Sequence, residues 1–144
     1  MKYRRTISVA SLLSGMVALY LHLWKLGLVG GLACSDAERG CEFVQLSVYG
    51  KFLGFDVALI GALGYAAIFV VATTGTLDRF VDDGRVTLAL QALIWPAIAF
   101  TAYLKYAEFL VLHGFCRWCL VSALTIVLCA VMVTLDSRRL RTTQ

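Results

Sequence analysis

Four long apolar stretches dominate the chain, running roughly Ile7 to Val29, Phe55 to Thr74, Val86 to Leu112 and Phe115 to Leu135. Each is close to the ~20 residues that a helix needs to cross the hydrocarbon layer of a membrane. Polar residues interrupt them in only three places: a loop over Gly30 to Gly54, a charged turn over Gly75 to Arg85, and a very short connection at His113-Gly114. This alternation predicts an all-α integral membrane protein. The expected architecture is a bundle of four transmembrane helices with one long loop between the first two, forming one domain over residues 1–144. No internal repeat or low-complexity tract interrupts it.

Composition agrees with the pattern. The 144 residues are 60% hydrophobic and 15% charged, with a mean hydropathy of +0.82, which is more apolar than an average soluble domain. One proline and twelve glycines suit packed helices. The net charge of +4 does not point to nucleic acid, because the basic residues gather at the ends of apolar runs and form no stripe. Membrane lipid is the expected surrounding.

Those basic residues predict an orientation, since positive charge is retained on the cytoplasmic side. Lys2, Arg4 and Arg5 precede the first stretch, Arg79 and Arg85 occupy the central turn, and Arg138, Arg139 and Arg141 close the chain. With four crossings these clusters share one side. Lys25, Arg39, Lys51 and Arg117 fall on the other and are fewer. Both termini are therefore expected in the cytoplasm, and the Gly30–Gly54 loop outside a bacterial cytoplasmic membrane. A rival reading takes the basic start, the apolar run and Gly31-Leu32-Ala33-Cys34 as a leader ending at a lipid-modified cysteine. Gly31 replaces the usual leucine there, and three further spanning segments remove the need for such an anchor.

Small residues at Gly50, Gly54, Ala58 and Ala62 recur every four positions and predict a face where another helix packs closely. Pro96 predicts a kink in the third helix and frees a carbonyl. Lys105 and Glu108 are three apart on one helix face, so they are expected either to pair within the membrane or to snorkel to its surface.

Four of the five cysteines lie at segment edges: Cys34 and Cys41 in the loop, and Cys116-Arg117-Trp118-Cys119 where the fourth stretch begins. A C-x-x-C pair sets two sulfurs about one helical turn apart, within reach of a reversible disulfide. At a helix start, free backbone N–H groups favour a thiolate, and an oxidising compartment lets a disulfide persist. The sequence thus points to a thiol redox relay at a membrane surface. Static structural disulfides remain open from the residues alone, as does a zinc site using these cysteines with His113. Trp118 suits the membrane interface or the wall of a ligand pocket. Cys129, ten residues beyond Cys119, is expected to be an inert apolar side chain.

The order Cys34-x6-Cys41, Ser47-Val48-Tyr49-Gly50, Gly64-Tyr65, Tyr103-Leu104-Lys105-Tyr106-Ala107-Glu108 and Phe115-Cys116-Arg117-Trp118-Cys119 resembles the vitamin K epoxide reductase family, in its bacterial branch, over nearly the whole chain. The resemblance implies a four-helix bundle around a quinone, menaquinone or ubiquinone. It also implies a DsbA-type, thioredoxin-like partner that makes disulfides in exported proteins. Residue by residue, it implies that Cys119 adjoins the quinone with Cys116 as its disulfide partner, that Cys41 passes electrons to Cys116, and that Cys34 meets the partner protein. Ser47 would match the hydroxyl residue that helps hold the loop and the quinone region, although a loop serine can also simply cap a helix.

Two departures stand out. Asp56 or Val57 occupies the place of an asparagine of the vertebrate members, and Ala123 that of their tyrosine, which argues for quinone reduction and against epoxide reduction. The chain stops at Gln144 without a fused thioredoxin-like domain, so the expected partner is a separate protein. The DsbB-type quinone reductases carry their C-x-x-C after the first helix, the reverse of the order here. A non-enzymatic membrane subunit stapled by two disulfides is the rival of a different class.

Overall fold

The computed structural model describes residues 2–31 and 40–143. Helix α1 runs over Lys2–Lys25, a short α2 over Cys41–Leu46, α3 over Val57–Thr74, α4 over Gly84–Tyr106 and α5 over Arg117–Thr143. Strands β1 (Lys51–Phe52) and β2 (Phe55–Asp56) form a small antiparallel hairpin before α3. Helix α4 continues as one wider π turn over Ala107–Val111. Local chemistry sets several of these limits. Gly27, at φ 74°, closes α1, with its N–H donating to the Trp24 carbonyl at 2.9 Å and that of Leu28 to Leu23 at 3.1 Å, a Schellman-type stop. The Asp56 and Asp83 carboxylates accept backbone N–H groups at the starts of α3 and α4, as N-cap residues do.

Helix α1 packs against α3 and α5, and α4 packs against α5 and α3. The long helices alternate in direction. One buried cluster joins Ile7, Tyr65, Ile68, Leu90, Ile94 and Val133 through the middle and one end, and a second joins Leu21, Cys41, Val44, Ala58 and Cys116 at the other end. Outward-facing side chains are equally apolar: Leu13, Met16, Leu63, Val70, Leu88 and Leu124 are all more than half exposed. Four helices are long and apolar enough to cross a membrane, and an α-helix pairs most of its backbone groups internally, as hydrocarbon demands. The chain is a membrane protein built as a four-helix bundle.

The helices differ from the apolar stretches at their ends. The first helix begins at Lys2, before Ile7, and stops at Lys25, before Val29; the last runs past Leu135 to Thr143. Gly50 and Gly54 do not extend the small-residue face of the second spanning helix, because they sit in the loop and the hairpin turn. The close α1–α3 approach instead uses Gly15, where an added Cβ would lie 3.3 Å from that of Tyr65, and Gly61, 3.7 Å from Ala18. Pro96 lies inside α4.

The added residues at both ends carry one buried polar contact. Arg4, one of the basic residues that precede the first apolar stretch, is 1% exposed. Its Nε donates to Asp136 Oδ2 at 2.9 Å, its Nη1 to the carbonyls of Gly75 and Phe80, and its Nη2 to the Asp83 carbonyl and the Thr87 hydroxyl. Thr87 donates in turn to Asp136 at 2.7 Å. One guanidinium thus ties α1, the α3–α4 turn, α4 and α5 at a single point. Removing one member of a buried charged pair costs about 3–5 kcal/mol. Arg4→Met is therefore expected to lower the thermal unfolding temperature of the detergent-solubilised protein strongly. Arg4→Lys should fail to restore it, because an ammonium cannot span the same fork, and Arg4→Met with Asp136→Leu should recover part of the loss. Wild-type stability in Arg4→Met would remove the guanidinium from this role.

Candidate active site

The end of the bundle opposite Arg4 gathers the close of α1, helix α2, the hairpin, the start of α3, the π turn and the start of α5. Cys116 and Cys119 form a disulfide here, with Cα atoms 5.1 Å apart. Cys116 immediately precedes α5, and its Sγ accepts the Cys119 backbone N–H at 3.2 Å. The sulfur therefore occupies the place of an N-cap side chain, receiving an N–H of the first turn. Cys116 is 0% exposed, whereas Cys119 is partly open.

Glu108 holds this turn in place. Its Oε1 accepts the Cys116 backbone N–H at 2.6 Å, its Oε2 accepts Lys105 Nζ at 2.7 Å, and its carbonyl accepts the Gly114 N–H at 3.1 Å. The sequence left Lys105 and Glu108 between pairing and snorkelling. They pair, and the carboxylate is 2% exposed. Its second use, on the backbone of Cys116, is not visible in an i, i+3 spacing.

Cys41 opens α2, is 0% exposed and is itself disulfide-bonded. It shares one buried cluster with Cys116, walled by Leu21, Val44 and Ala58. Cys34, the other expected loop cysteine, lies outside the described residues. Cys129 is a free thiol buried in the other apolar cluster. Among the described residues no three His, Cys, Asp or Glu side chains come together as a metal site, and His113, proposed as a zinc ligand, is exposed.

A cavity of about 340 Å³ opens inside the bundle beside Cys119, within the range of small-molecule sites. Its wall is mostly aliphatic and aromatic, drawn from α1, α3, α4 and α5, with Pro96 and Phe100 among it. Among the polar side chains in the wall are Cys119, Gln45, Tyr49, Lys105, Glu108 and the Tyr65 hydroxyl, the last hydrogen-bonded to Ser122 at 2.8 Å. Trp118 also lines it, and its buried indole N–H meets no acceptor among the described residues. An apolar chamber with one uncommitted donor and a sulfur in its wall suits a flat, lipid-soluble molecule bearing carbonyl oxygens. A quinone has that chemistry.

The Ser47-Val48-Tyr49-Gly50 segment shapes this wall indirectly. The Ser47 hydroxyl donates to the Val44 carbonyl at 2.7 Å and lies outside the cavity lining, while Gln45 and Tyr49 line it. Ser47, expected to help hold the loop and the quinone region, contacts the loop backbone next to Gln45. At Gly50 an added Cβ would collide with the Gln45 carbonyl, so only glycine allows the chain to fold back over α2. Lys25 Nζ donates to the Gly50 carbonyl at 3.2 Å and to Asp56 at 2.5 Å, and His22 Nδ1 lies 2.7 Å from the same carboxylate. Burial works to raise the Asp56 pKa, but Lys25 and His22 outweigh it and hold the carboxyl below its ordinary value.

Sequence reasoning missed Gln45 and the His22–Asp56–Lys25 cluster. Gln45 had a signal: it follows Cys41 by four residues and so shares its helix face. The cluster joins positions more than thirty residues apart and had none.

A carboxyl with a depressed folded pKa contributes stability that is complete above its unfolded value and is lost as pH falls through the folded one. Asp56→Asn is expected to cost about 1–2 kcal/mol at neutral pH, and the gap to wild type should close progressively below pH 3.8 in thermal unfolding. A gap that persists in strong acid would show that Asp56 acts without its charge. A family model described as the vitamin K epoxide reductase family matches residues 5–134, a range that takes in the C-x-x-C disulfide, Cys41 and the cavity-lining side chains, and the chain belongs to that family of membrane thiol–disulfide oxidoreductases.

Proposed function

We propose that the protein is a quinone-dependent oxidoreductase of a bacterial cytoplasmic membrane that reoxidises a DsbA-type, thioredoxin-like partner. The observation that carries this reading is the division of one disulfide between two environments. Cys116 is buried in a cluster with Cys41, while Cys119 opens onto an apolar cavity. A dithiol substrate arrives from water and an apolar oxidant from lipid, so a relay of sulfurs at the membrane boundary is the arrangement that lets both react.

In the proposed sequence a partner thiolate attacks Cys34 of a Cys34–Cys41 disulfide, and Cys41 leaves as thiolate. Cys41 attacks Cys116 Sγ, breaking Cys116–Cys119 and leaving the electron pair on Cys119. The partner's second thiol closes its own disulfide and frees Cys34, which then displaces Cys116 from Cys41. The loop pair is restored, and Cys116 and Cys119 remain as a dithiol. Each exchange forms one S–S bond and breaks one. A bound quinone supplies the acceptor for the two electrons and two protons released when that dithiol closes again. A strongly oxidising partner near about −120 mV matches an acceptor continually renewed by respiration.

The cavity wall gives the chain's own residues their tasks. Trp118 offers its unspent indole N–H, the Lys105–Glu108 pair keeps charge beside Cys119, and the aliphatic wall excludes water. The charge asymmetry supports a cysteine-bearing end on the outer face and both termini in the cytoplasm.

Two measurements test this reading. An impermeant thiol reagent added to reduced spheroplasts should label Cys34, and a reporter fused after Gln144 should remain cytoplasmic; an external reporter would reverse the orientation. Cys34→Ala should abolish oxidation of a thioredoxin-like partner yet retain dithiothreitol-driven quinone reduction, because a small dithiol reaches Cys116–Cys119 directly. Cys119→Ala should lose both. Equal loss of both activities in folded Cys34→Ala protein would overturn the sequential relay.

A further inference from the structure

The order of the cysteines does not explain which sulfur of the C-x-x-C pair departs when the disulfide opens. The helix start alone favours the wrong one, since Cys116 Sγ already receives the Cys119 N–H and a negative charge there would be stabilised. A donor on the other sulfur offsets this. Gln45 lies one turn beyond Cys41 on α2, is 7% exposed, and places its Nε2 3.5 Å from Cys119 Sγ in the cavity wall. The chain passes close over its backbone carbonyl at Gly50, and the side chain is buried at this contact.

We propose that Gln45 is a catalytic residue that stabilises the thiolate released on Cys119. In the exchange a thiolate forms a bond to Cys116 Sγ, the Cys116–Cys119 bond breaks, and its electron pair stays on Cys119; no proton moves. A disulfide sulfur is a weak acceptor, whereas an ionised sulfur is a strong one. The Gln45 contact therefore strengthens as the bond breaks, which is the condition for lowering a barrier. Because α2 carries both Cys41 and Gln45, the helix that presents the proposed attacking sulfur also presents the donor for the leaving one. The proposal rests on the redox reading of the C-x-x-C pair, with Cys41 as attacker, but the effect on Cys119 holds whichever thiol attacks.

The titratable groups sharing the cavity with Cys119 are Tyr49 from the loop, Tyr65 from α3, and Lys105 and Glu108 from α4 and its π turn. Lys105 and Glu108 are engaged with each other, and the lining residues of α1, Ser14, Val17, Ala18 and Leu21, carry no charge. Among the described residues, Gln45 is thus the neutral side-chain donor placed at this sulfur from outside its own helix.

The test uses full-length protein in detergent with Cys116→Ser, which frees the Cys119 thiol. The rate of iodoacetamide labelling of the Cys119 peptide, followed by mass spectrometry across pH, reports the thiolate fraction. Gln45→Leu is expected to slow labelling about tenfold at neutral pH, one unit of displacement of the midpoint upward. Gln45→Glu, which keeps the shape and loses the donor, should slow it at least as much. In a second readout, Cys116–Cys119 in a Cys34→Ala/Cys41→Ala background is equilibrated with glutathione, and Gln45→Leu should shift the balance toward the disulfide by a similar factor. Should Gln45→Leu fail to fold, the uncharged Gln45→Met, of similar length and without the donor, decides. An unchanged midpoint in a folded variant overturns the proposal. Neither readout involves a quinone or a partner protein, so this assignment and the relay can fail separately.

Discussion

The Arg4 guanidinium is the point on which the bundle closes. Its donors reach a carboxylate on the last helix, a hydroxyl on the third and three carbonyls of the central turn. In a helical membrane protein apolar burial gives weak preference for one helix arrangement over another, because lipid is as apolar as the interior. A buried, directional ion pair supplies the preference that the aliphatic faces lack. Both partners lie just outside the apolar stretches, Arg4 before the first and Asp136 after the last.

With one end fixed in this way, the other end can be open. The helices part around a cavity of about 340 Å³, and several of the polar groups in its wall are held by one another. Glu108 illustrates the arrangement: one carboxylate oxygen takes the Lys105 ammonium and the other takes the backbone of Cys116. The charge is neutralised by its neighbour, and the position of the disulfide follows from the same side chain. On the facing side, Asp56 is paired with Lys25 and lies within hydrogen-bond distance of His22, and Lys25 secures the loop at Gly50.

The consequence for reactivity is a disulfide with two unlike faces. Cys116 is enclosed with Cys41, and Cys119 faces the cavity, with Gln45 on its sulfur. Thiol exchange is controlled by which sulfur is reached and which leaves. Both are matters of position that the bundle's rigid end imposes on a loop-borne helix only six residues long.

Hydrophobic length alone gave four spanning helices, because the thickness of a bilayer fixes how many apolar residues a helix must have. The C-x-x-C spacing likewise carried its own disulfide, since one helical turn brings the two sulfurs together. Spacing also suggested Lys105 with Glu108. It could not assign Glu108 to the Cys116 backbone, distinguish Arg4 as a buried anchor from Arg5 as a surface charge, or turn Ser47 away from the cavity and Gln45 toward it. Those outcomes depend on contacts between residues up to 132 positions apart and on a chain reversal at Gly50 that leaves room for no side chain. Local pattern reports what each segment can form by itself, and only packing decides which polar atoms meet.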